Sequence, residues 1–447
     1  MTPIELFEMF WKRYERIEPL INAFMFVDKE GARRAAEEAT VRQSSGLRLG
    51  PLDGIPIAIK DNLFVKGMPA TWGSRIFEGY VPSCDDICVE RLRAGGAILF
   101  GKTTTPEFAL LGRTFSDLKP STRNPWDLRL TSGGSSGGSV AAVASGMVPL
   151  SLGTDAGGST RMPASYTGLV GLRPSNGRVP RRYGFLPMAL DFQTIGLVGR
   201  SLADIDLLLS VIGGPDRRDP ASVNLPPIST PHRPLRIGWF TTIGSETVDP
   251  EVARAHRDAR GCLVSQGCQV EECLPPFNLS EINEIWATLA PVSVARVALS
   301  YPQHQGQLTD QIQELVRKGQ EINATSFLRA IDRLAEFRAE VSAAWGEFDA
   351  LLTPTAASPA WDAESACPDT IGGRPGTAAT QSMFCSWVNA VGFCGLNIPG
   401  TPHTDGRPIG LQIVAPFGDD GLALHLGRML EEASPWIHRR PSGLEES

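Results

Sequence analysis

Apolar positions along this chain alternate between a helical and a strand period. Ile4, Leu6, Phe7 and Phe10 mark one helix face, and Gly31 to Ala39 continues in strong helix formers, so the first forty or so residues read as helical. Ser44-Ser45-Gly46 ends that pattern. Gly54-Ile-Pro-Ile-Ala-Ile-Lys-Asp61 is short, apolar and β-branched, which predicts a buried strand ending in a lysine. A helix over Asp86–Ala94 and a strand over Ala97–Phe100 follow. Thr131–Ser139 is so rich in Gly and Ser that it reads as a loop. Val140–Gly146 then predicts a short helix of small residues and Val148–Gly153 a buried strand, and a second loop at Thr154–Ser159 leads into a helix start. Later signals predict a strand at Leu235–Phe240 and a helix at Pro250–Gln266. Phe327, Ile331, Leu334 and Val341 mark an amphipathic helix. Strands at Ala350–Thr353 and Ile409–Val414 and a closing helix at Gly421–Ala433 complete the series. This alternation argues for an α/β sandwich. The one linker candidate is the short Pro-rich stretch Asn224–Pro234, so the expectation is a single domain over 1–447 with a helical arm over about 1–45.

Composition narrows the partners rather than the fold. With 447 residues, 42% hydrophobic and 20% charged, the chain matches soluble globular proteins and can bury a large core. A net charge of -7 and the lack of a Lys/Arg run argue against nucleic acid as a partner. Apolar stretches stop well short of the ~18–20 residues a membrane span needs. The N-terminus, Met1-Thr-Pro-Ile-Glu-Leu-Phe-Glu8, carries acids where a signal peptide needs a basic flank, so the expected location is cytoplasmic. Eight dispersed cysteines read as free thiols. Cys84 and Cys88 on a helix, and Cys262, Cys268 and Cys273, lack companions with metal-ligand spacing.

Candidate chemistry sits in the two Gly/Ser loops. Amide hydrolysis needs a nucleophile, a proton acceptor and donors for an oxyanion. Ser159 follows two glycines between a strand and a helix, where backbone N–H groups converge. Ala156, Gly157, Gly158 and Ser159 are the candidate oxyanion donors, with glycine allowing close approach of a carbonyl. None of the six histidines, His232, His256, His304, His403, His425 and His438, lies in a motif-like setting. Lys60 is the better base, because burial at the end of an apolar strand lowers an ammonium pKa, and Ser-Lys pairs are an accepted triad variant. A second serine can relay the proton. A phosphate cradle starting at Gly133 would need lysine at 139, where the chain has Ser139.

Gly133-Gly-Ser-Ser-Gly-Gly-Ser139 followed by Gly153-Thr-Asp-Ala-Gly-Gly-Ser-Thr-Arg161 closely resembles the signature stretch of the amidase signature family. Gly54–Asp61 resembles that family's lysine strand, and Ser135 follows Lys60 by 75 residues and precedes Ser159 by 24. Gly101–Ala109, Thr122–Trp126, Gly168–Pro174 and Gly406–Val414 are similar to further family segments, so the resemblance spans nearly the whole chain. It implies a three-layer α/β/α sandwich around a large mixed β-sheet, with a signature core over about 130–162. It implies a triad in which Ser159 forms an acyl-enzyme, Ser135 (in a cis peptide) bridges, and Lys60 takes the proton. Ser136, Thr154, Asp155 and Arg161 are candidate supporting residues; Arg161 could bind a substrate carboxylate, but its expected job is structural, pairing with Asp155 and fixing the loop. The implied mechanism uses no metal or cofactor, the substrate is a small-molecule amide, and a homodimer fits the fold-level analogy.

Two departures from the family pattern matter. Ala156 stands where threonine is frequent, although only a backbone N–H is needed there. Leu190–Gly196 also differs in a segment that lies near substrate in the family. The expected function is hydrolysis of a small-molecule amide to an acid and ammonia or an amine. One alternative is the glutamine-hydrolysing component of an amidotransferase, which passes ammonia to partner chains. The other is a catalytically inactive binding protein. Residues 278–324 and 356–379 are expected to shape the acyl pocket. Trp361, Phe384 and Trp387 are candidates for an aromatic wall, with core packing as the default. Arg181 and Arg182 read as a solvated basic pair.

Overall fold

The computed structural model describes residues 1–225 and 234–444. It is built on one eleven-stranded sheet. From edge to edge its strands are Phe24–Val27, Ile98–Thr103, Pro56–Lys60, Leu150–Asp155, Thr194–Gly199, Val170–Arg173, Cys394–Pro399, Gly410–Ala415, Ala350–Pro354, Arg236–Trp239 and Gln269–Glu272. Pairing is parallel around Pro56–Lys60 and around Arg236–Trp239, and antiparallel through the middle, so the sheet is mixed.

Strand alternation feeds two cores. Ile57, Ile59, Leu99, Leu150, Leu152, Ile195 and Leu197 face one side, against helices Leu202–Ile212, Pro250–Ser265 and Asp420–Ala433. Ala58, Ile98, Phe100 and Val198 face the other, against helices Pro3–Ile21 and Gly137–Ala144. Because both faces are covered, these strands send apolar residues to both sides, and the buried polar residues Lys60, Thr154 and Asp155 fall at their carboxyl ends. That is the three-layer sandwich.

Several boundaries differ from the pattern-based expectation. The helical start is interrupted by the strand Phe24–Val27, which pairs with Ile98–Thr103. Four apolar residues there carry too short a period to separate strand from helix, and Asn22 turns the chain with φ 56. The first Gly/Ser loop becomes helical at Gly137, because its glycines serve close packing: a Cβ at Gly138 would lie 2.5 Å from the Ala23 carbonyl oxygen and Thr104 N. The strand after that helix runs on through Thr154 and Asp155, which were expected in the loop. Cys84 lies before the helix Ile87–Ala94 rather than on it. The linker candidate falls largely on 226–233, outside the described residues.

Helices Leu279–Leu299, Asp310–Glu321 and Ala324–Ala344 form a cap beside the sheet. The first two approach so closely at Gly319 that a Cβ there would lie 2.1 Å from the Pro291 carbonyl oxygen. Val294, Ala298, Ile312 and Val316 of these two helices join Trp72, Phe77 and Phe108 in a separate core, whereas Ile282, Ile285 and Leu289 of the first and Leu334, Phe337 and Val341 of the third pack into the main sheet core. No described helix is long and apolar enough to cross a membrane.

Candidate active site

Two neighbouring parallel strands bring the chemistry together. Ile59 is in register with Leu152, so Lys60 leaves the sheet beside Gly153 and Thr154, at the carboxyl ends where open α/β sheets bind ligands. Lys60 is fully buried. Its Nζ lies 2.8 Å from Ser135 Oγ, 2.9 Å from Ser136 Oγ and 3.0 Å from Thr154 Oγ1. Burial holds its pKa well below the usual 10.5; the Asp155 charge pulls it back up in part, and that of Arg181 lowers it further.

Ser135 follows a cis Gly134–Ser135 peptide and is fully buried. Ser136 N donates to the Ser159 carbonyl oxygen at 3.0 Å, which ties the first Gly/Ser segment to the second. Ser135, Ser159, Ala156 and Gly157 all face one cavity of about 490 Å³.

The second turn is shaped by Asp155. Its Oδ1 accepts from Gly158 N at 2.8 Å and its Oδ2 from Thr160 N at 3.0 Å, while Arg161 closes a salt bridge at 2.8 Å. Burial pushes this carboxyl up, but the Arg161 guanidinium and the Asn389 amide outweigh it and hold it well below the usual range. Arg161 is thus a structural partner of the turn. The Gly158 N–H, expected among the oxyanion donors, is taken by Asp155, which leaves Ala156, Gly157 and Ser159 as the candidate donors of the turn. Gly158 has φ 109, and a Cβ there would lie 2.6 Å from that of Cys385, so only glycine fits.

Some functional neighbours carry only a faint signal in the sequence. Asn62 donates to Thr154 Oγ1 at 3.0 Å; its one signal is its place two residues after Lys60. Asn389 and Gln412 hold Asp155 and Arg161 from more than two hundred residues away. The signal in each is a polar residue inside an apolar run, Trp-Val-Asn-Ala-Val and Gly-Leu-Gln-Ile-Val. Lys102, also fully buried, donates to the Asp61 and Pro69 carbonyls at 3.1 Å each, and burial draws it down to about 8.

Residues 278–324 and 356–379 do shape the cavity. Asn283, Trp286 and Leu315 come from the first stretch, Trp361, Cys367 and Ala378 from the second. Trp361 is the one aromatic candidate that reaches the wall, whereas Phe384 and Trp387 are buried in the main core. Arg181 is half-buried rather than solvated, because Asp219 accepts from its N–H at 2.7 Å and the Phe185 carbonyl from its guanidinium at 2.8 Å; Arg182 is exposed.

The class that this fold and site define is a hydrolase of carbon–nitrogen bonds. The chain belongs to the amidase family of amidase signature enzymes, whose model matches residues 5–424. It is 31% identical to an acylamidase of Rhodococcus erythropolis, over 99% of this chain and 94% of that one. It is 34% identical to a glutamyl-tRNA(Gln) amidotransferase component of Symbiobacterium thermophilum, over 100% and 96%. Among solved structures it resembles 6-aminohexanoate cyclic dimer hydrolase, with TM-score 0.85 and 30% identity over 99% and 96% of the two chains.

Proposed function

We propose that the chain hydrolyses small-molecule amides through an acyl-enzyme on Ser159, with Ser135 as proton relay and Lys60 as base. The hydrogen bonding around Lys60 carries this reading. A neutral amine has two N–H donors and one lone pair. Ser136 Oγ gives its proton to the Thr154 carbonyl at 3.2 Å, so it accepts from Lys60. Thr154 Oγ1 accepts from both Asn62 and Lys60. The lone pair is left for Ser135, 2.8 Å away.

Ser159, on attacking the amide carbonyl, passes its proton through Ser135 to Lys60. The oxyanion forms beside the N–H groups of the turn, where fixed donors stabilise developing charge. Lys60 returns the proton to the leaving nitrogen, and water then releases the acid by the reverse relay. The chain is read as one domain, supported by a single sheet that takes strands from Phe24 to Ala415.

Ammonia release from a panel of primary amides tests this, with the parent compared to Ser159→Ala. Release by the parent alone is expected. Release that survives the substitution removes Ser159 as nucleophile.

A further inference from the structure

The cavity wall has a property that amide hydrolysis alone does not demand. Among the described residues that line it, none is Asp, Glu, Lys, Arg or His. Phe108, Met188, Trp286, Leu315 and Trp361, with several alanines and leucines, make the wall predominantly apolar. Its polar members beyond the reacting serines, such as Gln193, Asn283 and Gln381, are neutral amides or hydroxyls. Charges behind the nucleophile turn are already matched: Asp155 and Arg161 are fully buried and 2.8 Å apart. Lys60 is turned to Ser135, Ser136 and Thr154, not to the cavity.

The cap closes this wall over the reacting end. A Cβ on Gly157 would lie 3.2 Å from the Trp286 ring, so the indole from helix Leu279–Leu299 rests on the turn that carries the oxyanion donors. An ammonium or carboxylate entering such a space loses hydration and finds no counter-charge, which is unfavourable unless the ion is paired. An aryl or branched alkyl group loses nothing of that kind and gains from leaving water. The volume, about 490 Å³, lies within the range of clefts that hold small ligands.

We propose that this cavity takes neutral amides bearing an aryl or alkyl substituent and rejects amides that carry an ammonium or carboxylate group, free glutamine included. The inference rests on the reading of Ser159 as nucleophile, and it separates that reading into a small-molecule amidase and a glutaminase. The amidotransferase components related to this chain do not decide between them; the chemistry of the wall does. Glutamine would bring two charges into a wall that answers neither.

The test measures binding, so that it does not depend on turnover. Ser159→Ala protein is titrated with hexanamide, with 5-aminopentanamide, in which an ammonium replaces the terminal methyl, and with glutamine. Calorimetry reads the affinity, and quenching of Trp286 and Trp361 gives a second signal. Hexanamide is expected to bind at least about 30-fold more tightly than either charged amide, which converts to about 2 kcal/mol. A second variant, Asn283→Asp with Ser159→Ala, puts one negative charge on the cap wall with almost no change of shape. It is expected to narrow the gap between 5-aminopentanamide and hexanamide by about tenfold, about 1.4 kcal/mol. Equal or tighter binding of 5-aminopentanamide or glutamine to Ser159→Ala overturns the proposal. So does the absence of hexanamide binding, or a gap that Asn283→Asp leaves unchanged. Loss of the nucleophile reading would appear elsewhere, as hydrolysis by Ser159→Ala, so the two failures are distinguishable.

Discussion

Asp155→Asn is the substitution for which the structure gives the clearest magnitude. The carboxylate accepts six hydrogen bonds, from Gly158 N, Thr160 N, the Arg161 N, Nε and Nη2 atoms, and Asn389 Nδ2. All of its partners are donors. The asparagine amide keeps the shape but turns one oxygen into an NH₂ group that must face donors. It also leaves the fully buried Arg161 without its counter-charge. Breaking one side of a buried pair costs about 3–5 kcal/mol, a large share of the ~5–15 kcal/mol that holds a domain together. Urea unfolding should therefore show a midpoint shift equal to about 3 kcal/mol or more at an unchanged slope. The turn holding Ala156, Gly157 and Ser159 hangs from the same carboxylate, so kcat should fall roughly 10²-fold, the scale of one misplaced oxyanion donor. Asp155→Asn combined with Arg161→Met should cost less than the two singles added together, because the unpaired charge is gone. A single variant within ~1 kcal/mol of the parent and fully active would refute the claim that Asp155 organises the turn.

Further outcomes follow from the same geometry. Lys60→Met should reduce hydrolysis by about 10²–10⁴-fold, the range for loss of general-base catalysis, read as kcat/KM on the best amide. In the parent, activity should rise with pH as the Lys60 ammonium loses its proton, with an apparent midpoint below 10.5, because the working form is the neutral amine. The folded chain binds that proton less tightly than the unfolded chain, so the Lys60 contribution to stability rises with pH up to about 10.5. Unfolding of Lys60→Met as a function of pH should lose up to about 1.4 kcal/mol of slope per pH unit in that window. Glu107→Gln should loosen the cap, since the buried carboxylate accepts from Ser74 Oγ at 2.6 Å and from Thr309 N and Oγ1 at 3.0 and 2.6 Å. A loss of about 1–3 kcal/mol and faster amide hydrogen exchange in Asp310–Glu321 would register it.

Much of the candidate site was legible in the chain itself. Lys60 closes an apolar run, and Ser135 and Ser159 stand among glycines that a hydrolytic turn requires. Arg161 and Asp155 lie close enough in sequence to suggest their pairing. What was hidden depends on contacts between distant segments. The role of Gly158 N–H appears only once Asp155 is seen to turn back on it. Asn389 and Gln412 reach the same carboxylate and guanidinium from a helix and a strand much later in the chain. Trp286 carries no signal of its own in the sequence, because the residue it rests on, Gly157, lies over a hundred positions earlier. The glycines at 137 and 138 misled in the opposite sense: composition suggests a loop, but they start a helix and pack tightly, Gly137 against Thr114 and Ser132 and Gly138 against Ala23 and Thr104.

The central claim is that Ser159 becomes the acylated residue. Intact-mass measurement after exposure to a fluorophosphonate, followed by peptide mapping, tests it most directly. One adduct on Ser159 in the parent and none in Ser159→Ala is the predicted result, with slower labelling in Lys60→Met. An adduct that persists in Ser159→Ala, or that maps to Ser135 in the parent, contradicts the account.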